Sequence, residues 1–262
     1  MNKLNTCVLI MSCDKYDDVW DPFFHFFEKY WADCPYPVYL ATNTKVYHRE
    51  NLQQVHSNIS GTWSEETSSV LKNLSYDYLI YLQDDYFILK KVDTQKITLL
   101  LNKLEAYQAD YLRLFPIIGP DSDFNNDQDL GLISVDAPYR TSLQCAIWKR
   151  KSFLSILDNT ENQWEFEMNS PGRSQEFLFL SIKQQTIGKF KFHVYPITYY
   201  HLTAIIRGKW RQGILKICRE ENVELNMNYR KVEPFGEFIY QIFYDQSPLC
   251  VKKTMDFIKS KF

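Results

Sequence analysis

The stretch Asp77-Tyr78-Leu79-Ile80-Tyr81-Leu82-Gln83-Asp84-Asp85-Tyr86-Phe87 decides the reading of this chain. Tyr78 to Leu82 is continuously apolar, the pattern of a strand buried on both faces. Asp84 and Asp85 follow directly, so two carboxylates stand at the strand's carboxyl end. In open α/β sheets that edge is where ligands bind. A bare Asp-Asp pair is common in solvated turns and helix caps. Its place behind an apolar strand and ahead of Tyr86 and Phe87 favours a site.

The same arrangement recurs upstream. Thr6 to Ser12 is a second apolar run, ending in the polar segment Cys13 to Asp18. A helix is expected over Val19 to Trp31, with Pro22 tolerated in its first turn and Val19, Phe23, Phe26, Phe27, Tyr30 and Trp31 on one face. Pro37 to Thr42 reads as a strand. Ser64 is expected to cap a helix running to Leu74, with Glu65 and Glu66 near its positive end. A helix over Thr94 to Tyr107 and a strand over Asp110 to Phe115 complete the first half. Strands alternating with helices predict a mainly parallel sheet flanked by helices.

The second half is less regular. Pro116 to Gly131 is a loop by composition. Leu132 to Asp136 and Leu143 to Trp148 read as strands, Lys151 to Leu157 as a short helix, Ser174 to Gln184 as a helix, and Lys189 to Tyr195 as a strand. Late helices are expected near Arg211–Glu221 and Glu237–Tyr244. The simplest division is a catalytic domain over residues 1–210, with halves of about 1–115 and 116–210, and a helical C-terminal extension over 211–262.

Composition narrows the function classes. Thirty basic residues against 32 acidic ones leave a net charge of -2 in 262 residues. Binding to nucleic acid through an overall positive field is therefore not expected. The 45% hydrophobic content excludes disordered and collagenous classes. Six cysteines without a CxxC pair, and no cleavable leader pattern, predict reduced thiols and a cytoplasmic setting. No apolar run reaches the roughly 18 residues of a membrane span. The 18 Tyr, 18 Phe and 6 Trp are in excess and call for an explanation.

The segment Tyr78 to Phe87, supported by the first strand, the Trp63-Ser64 helix start and Trp164-Glu165-Phe166-Glu167, resembles the GT-A-type glycosyltransferases. These are the nucleotide-sugar-dependent class with a Rossmann-like sheet and an Asp-X-Asp motif. Within it, the chain is similar to bacterial transferases that build capsule, lipopolysaccharide or other surface glycans. Gln83 stands where the strict motif has its first Asp. The resemblance implies a divalent metal, Mn²⁺ or Mg²⁺, with Asp85 as principal ligand and Asp84 contacting the metal, its waters or sugar and ribose hydroxyls. It implies that Ser12, Cys13, Asp14 and Tyr16 surround the nucleotide, with Thr42 and Asn43 as secondary candidates and Trp63 beside the donor. The partners implied are a nucleotide-diphosphate sugar and a glycan or lipid-linked acceptor.

Glu165 and Glu167 lie two apart, so on an extended segment they share a face, whereas on a helix they diverge by about 200°. A base that takes the acceptor proton in an inverting transfer fits either residue, Glu167 first, with Glu176 as rival. Trp164 suits stacking on an acceptor sugar. In a retaining enzyme these residues would bind the acceptor instead. Arg207 and Lys209 flank Gly208 and suit a departing diphosphate. By the same resemblance, His201 completes the metal site. Residues 248–262 mix apolar residues with four lysines, which suits either peripheral contact at the inner face of a membrane or packing on the domain. The competing functions are a glycoside hydrolase, which also uses paired carboxylates, and a non-catalytic glycan-binding protein.

Overall fold

A computed structural model describes residues 4–183, 186–187, 190–191, 195–200 and 203–246. The proposed membrane-contact segment 248–262 lies outside the described residues, as does His201. The chain divides into two compact units, residues 1–199 and 200–262. The first contains β1 (Thr6–Met11), α1 (Asp17–Trp31), β2 (Val38–Thr42), β3 (Leu52–His56), α2 (Trp63–Lys72), β4 (Tyr78–Gln83), α3 (Thr94–Ala106), β5 (Tyr111–Arg113), β6 (Ser122–Asp123), β7 (Leu130–Leu132), β8 (Ala146–Lys149), α4 (Arg150–Ser155), α5 (Gln163–Arg173), β9 (Phe179–Ile182), β10 (Thr186–Ile187) and β11 (Phe190–Lys191). The second contains β12 (Ile205–Ile206), β13 (Lys209–Trp210), α6 (Gln212–Glu220) and α7 (Phe235–Gln246).

Nine strands form one mixed sheet in the order β3-β2-β1-β4-β8-β5-β9-β7-β6. The pairings make β1 to β6 and β9 run one way, apart from β7 and β8, which run against them. The sheet is thus mainly parallel and carries helices, as expected. Every residue of β1 is buried, which is why that segment is apolar without alternation. The helix α1 buries Val19, Trp20, Phe23, Phe24, Phe26, Phe27 and Trp31. It starts at Asp17, so Pro22 falls in its second turn rather than its first.

Several expectations are corrected. Thr62, not Ser64, caps α2, its hydroxyl accepting from the Glu65 amide at 3.2 Å. Ser64 lies one residue inside the helix and is fully buried. The expected helix over 174–184 contains instead β9, four buried residues inserted between β5 and β7. Phe177 to Leu180 is a short apolar run that fits either periodicity, and a vacant place in the sheet decides it. The strand near 132–136 is β7, two residues earlier. Gly131 sits there because a Cβ would lie 2.6 Å from the Pro120 ring. The edge strand β3 went unread because Leu52-Gln53-Gln54-Val55-His56 is half polar. The second unit runs from Tyr200. Its β12–β13 hairpin is tied to the chain that follows, with Trp210 N donating to Lys231 O and Glu233 N to Trp210 O, both at 2.9 Å.

The far half of the sheet is braced by ions. Asp127 accepts from Lys103 Nζ at 2.8 Å, from the Tyr107 hydroxyl at 2.9 Å and from the Asp129 amide at 2.8 Å. Burial alone would raise its carboxyl, but these donors outweigh it and hold the pKa at about 2, below the ordinary 3.8. A depressed carboxyl stabilises the fold above its ordinary pKa, and that stability is lost as pH falls through the folded value. Asp127→Asn should cost about 2 kcal/mol at neutral pH, the energy of such a shift. In urea titrations from pH 7 to pH 2, the gap between wild type and variant should close between about pH 4 and pH 2. A gap independent of pH would contradict the assignment.

Candidate functional site

In the sheet, β1 lies between β2 and β4, and both pairs are parallel. Met11 is level with Gln83, so both strands end together. Chain leaving β1 and chain leaving β4 therefore emerge side by side, at the kind of edge where open α/β sheets bind ligands. Asp84 N donates to Met11 O at 3.2 Å, and Ser12 N donates to Ala41 O at 3.1 Å. The Ser12 hydroxyl donates to Asp84 Oδ2 in a short hydrogen bond and accepts from Trp20 Nε1 at 2.7 Å. Asp84 is only 5% exposed, so this bond holds a nearly buried carboxylate.

A crevice of about 280 Å³ opens over this edge. Met11, Ser12, Cys13 and Tyr16 line it from β1 and the turn after it, and Gln83, Asp84 and Asp85 from β4. Trp63, Glu66 and Thr67 of α2 and Gln163 of α5 close the other side. The structure thus gathers the predicted Ser12, Cys13, Tyr16, Trp63, Asp84 and Asp85 in one place. Glu66, Thr67 and Gln163 were not singled out. Glu66 was read only as a charge near a helix terminus, and Gln163 was passed over beside Trp164. They lie in the N-terminal halves of α2 and α5.

The crevice carries three carboxylates, Glu66, Asp84 and Asp85, and none of its described lining residues is Lys, Arg or His. Burial raises the Cys13 thiol, and the Asp84 and Glu66 charges raise it further, against opposing effects of Lys15. Among the described residues no group of three or more His, Cys, Asp or Glu is arranged to hold a metal. The oxygen donors present are nonetheless of the hard type that Mg²⁺ and Mn²⁺ prefer.

Asp14 stands at the rim and has a structural task. Its carboxylate accepts from the Asn43 amide at 2.9 Å, the Thr44 hydroxyl at 2.7 Å and the Lys45 amide at 3.1 Å. Burial works against ionisation, yet these bonds keep the carboxyl below its usual range. The Asp14 amide returns the contact to Asn43 Oδ1 at 2.9 Å. Thr42 bonds His56 Nδ1 at 2.8 Å.

The Trp164 to Glu167 segment is helical, not extended, because Asn162 and Glu165 form a reciprocal cap at the start of α5. Asn162 Oδ1 accepts from the Trp164 amide at 2.9 Å, and Glu165 Oε2 accepts from the Asn162 amide at 2.8 Å. The two glutamates accordingly do not share a face. Glu165 is exposed and committed to its cap. Glu167 is half-buried one turn from Gln163, on the same helix face, and accepts from the Leu143 amide at 2.6 Å. Burial raises its pKa, partly offset by that bond, by Ser142 and by the Arg113 charge. The Tyr86 hydroxyl donates to Leu143 O at 3.3 Å, which ties the segment after β4 to the residue whose amide holds Glu167. Trp164 is 72% exposed beside Gln163.

Two aromatics close in sequence to the predicted site residues are core. Tyr86 is buried and stacked on Tyr199 at 4.5 Å with ring planes 7° apart. Trp210 is fully buried within the second unit. Arg207 and Lys209 also belong to that unit. Arg207 and Gly208 both have positive φ, 47° and 75°, in the two-residue turn between β12 and β13. Lys209 Nζ pairs with Glu237 at 3.2 Å.

No family model matches the chain, and no curated protein matches it. Solved structures similar to it include residues 1–349 of TarS from S. aureus (10% identity, TM-score 0.45, covering 70% of this chain and 59% of that one). They also include a mycobacterial protein (9%, 0.43, 68% and 65%) and a UDP-glucose pyrophosphorylase complexed with UDP-glucose (9%, 0.44, 69% and 90%). This chain thus spans less than two thirds of the length of the first of these.

The bond between Ser12 and Asp84 gives the first test. Ser12→Ala takes a partner from the Trp20 indole N–H and from a nearly buried carboxylate, which should cost about 1–3 kcal/mol. Urea denaturation at pH 7 reads this directly. A loss within a few tenths of a kcal/mol would mean that the bond is not formed.

Proposed function

We propose that this chain is a metal-assisted glycosyltransferase. It moves a sugar from a nucleotide-diphosphate sugar to a hydroxyl of a surface glycan or lipid-linked oligosaccharide. One observation carries the reading. The crevice at the joined ends of β1 and β4 is lined by three carboxylates and by no described cationic side chain. Such a crevice attracts polyhydroxylated groups and divalent cations and repels a bare diphosphate. A nucleotide-diphosphate sugar enters it as the complex with its cation.

Asp84 and Asp85 are the residues that would hold Mn²⁺ or Mg²⁺, with remaining ligands from water and the diphosphate, as these ions commonly arrange. When bound, the ion neutralises the charge that builds on the departing diphosphate. Ser12 holds Asp84 in place through its hydrogen bond. Tyr16 and Trp63 offer aromatic faces to the donor. Trp164, flat and exposed at the start of α5, offers one to an acceptor sugar.

The base is Glu167. Glu165 accepts from its own helix cap and has an exposed carboxylate. Glu167 has a raised pKa caused by burial, which brings its basicity nearer to neutral pH. As the acceptor oxygen bonds to the anomeric carbon, Glu167 takes its proton, while the bond from that carbon to the diphosphate oxygen breaks.

Calorimetry with UDP, GDP and CMP, each with and without Mn²⁺, tests the reading. Binding of at least one, strengthened by the metal, is expected. Asp85→Ala should abolish the metal-dependent part, and normal binding by that variant would refute its role. Glu167→Gln should leave donor binding within about twofold and slow transfer by about 10²–10⁴. In the wild type, the acidic limb of the rate–pH profile should lie above the ordinary glutamate range. It should disappear in Glu167→Gln, whereas Glu165→Gln should retain both rate and limb.

A further inference from the structure

The α2 side of the crevice is occupied by Glu66 and Thr67, to which no role has been given above. Thr67 is fully buried, lines the crevice, and among the described residues its hydroxyl has no hydrogen-bond partner. A buried hydroxyl without a partner is uncommon in a folded protein and asks for an explanation, such as a ligand group that reaches it. Beside it, Glu66 uses Oε1 to accept from the Gly61 amide at 3.2 Å, which steadies the carboxylate at the crevice wall. A second carboxylate oxygen is a hydrogen-bond acceptor of the kind that hydroxyl groups satisfy. The Cys13 thiol feels both Glu66 and Asp84, so the two acids face a common space.

We propose that Glu66 and Thr67 form a hydroxyl-reading wall that selects donors with an uncharged sugar and rejects donors whose sugar bears a carboxylate. The proposal rests on the nucleotide-sugar reading above and narrows its substrate class. Glu66 accepts from ring hydroxyls, and the Thr67 hydroxyl completes the pattern as donor or acceptor. The ring that supplies these hydroxyls is that of the transferred sugar. A uronate in the same space would meet Glu66 without any described Lys, Arg or His of the lining to offset it. Rejection through a like charge is a common source of specificity.

The test is calorimetry in Mn²⁺ with two matched pairs, UDP-glucose against UDP-glucuronate and GDP-mannose against GDP-mannuronate. The neutral member of the pair that binds should be at least about tenfold tighter, a difference that one repelled charge readily provides. Glu66→Gln keeps the shape and the acceptor for Gly61 but removes the charge, and should narrow that gap to about threefold or less. Thr67→Val removes only the hydroxyl. It should weaken the neutral donor about tenfold while leaving the thermal midpoint unchanged or higher, a combination that a purely structural threonine would not give. If Thr67→Val weakens the sugar donor but leaves the plain nucleoside diphosphate unchanged, the transferred sugar is the ring being read. If both weaken alike, the ribose is read instead and the proposal falls. Equal or tighter binding of the acidic member overturns the proposal, as does a gap or an affinity that neither substitution moves. Should UDP, GDP and all four sugar donors fail to bind, the transferase reading falls and this inference with it. Binding of UDP or GDP without discrimination between the sugars refutes the inference alone.

Discussion

The register that sets Met11 level with Gln83 governs the rest of the first unit. Side chains alternate along a strand, so a slip of one residue in the β1–β4 pairing would turn each buried side chain to the opposite face. With both faces of β1 buried, that slip has no tolerated alternative. Because the two strands stop together, Ser12 and Asp84 meet, and the Trp20 indole of α1 closes on the same hydroxyl. A strand pairing fixed by burial thus determines where a carboxylate sits to within a hydrogen bond.

The other half of the sheet is held in a different way. Two guanidinium groups, Arg113 and Arg140, are each 1% exposed and bond mainly to backbone carbonyls rather than carboxylates. Arg113 donates to Ile118 O and Tyr139 O, both at 2.6 Å, and to Arg140 O at 3.1 Å. Arg140 donates to Phe177 O at 2.7 Å and lies over the Phe179 ring at 4.5 Å. Loops without regular structure leave carbonyls that must be satisfied when buried, and a planar guanidinium with five donors can serve several at once. Around them, Tyr111, Trp148, Phe153 and Phe166 pack ring against ring, with Trp148 stacked on Phe153 at 4.5 Å. Of the 42 aromatic residues, 19 are buried core among the described residues, while Tyr16, Trp63 and Trp164 stand at the crevice or beside it.

The parallel half of the fold was legible because strands covered on both faces must be apolar throughout, and Thr6 to Met11 and Tyr78 to Leu82 are. The same property placed Asp84 and Asp85 correctly at a strand end. What escaped was decided by tertiary context. The strand β9 and the helix α5 both lie in segments whose local pattern fits two periods, and their neighbours settle the choice. Glu165 and Glu167 look equivalent in sequence, yet one closes a helix cap and the other turns towards Leu143. That distinction depends on Asn162, whose side chain caps the helix. Glu66 was visible only as a charge, since its nearness to Asp84 needs the helix to be laid across the sheet.

The clasp between Asp14 and residues 43–45 bears on recognition. The turn after β1 and the turn after β2 are joined by a carboxylate that accepts from several donors at once, so they move as one piece. A ligand arriving at this side of the crevice meets a rim ordered already at folding. Little conformational freedom remains there to be surrendered during encounter.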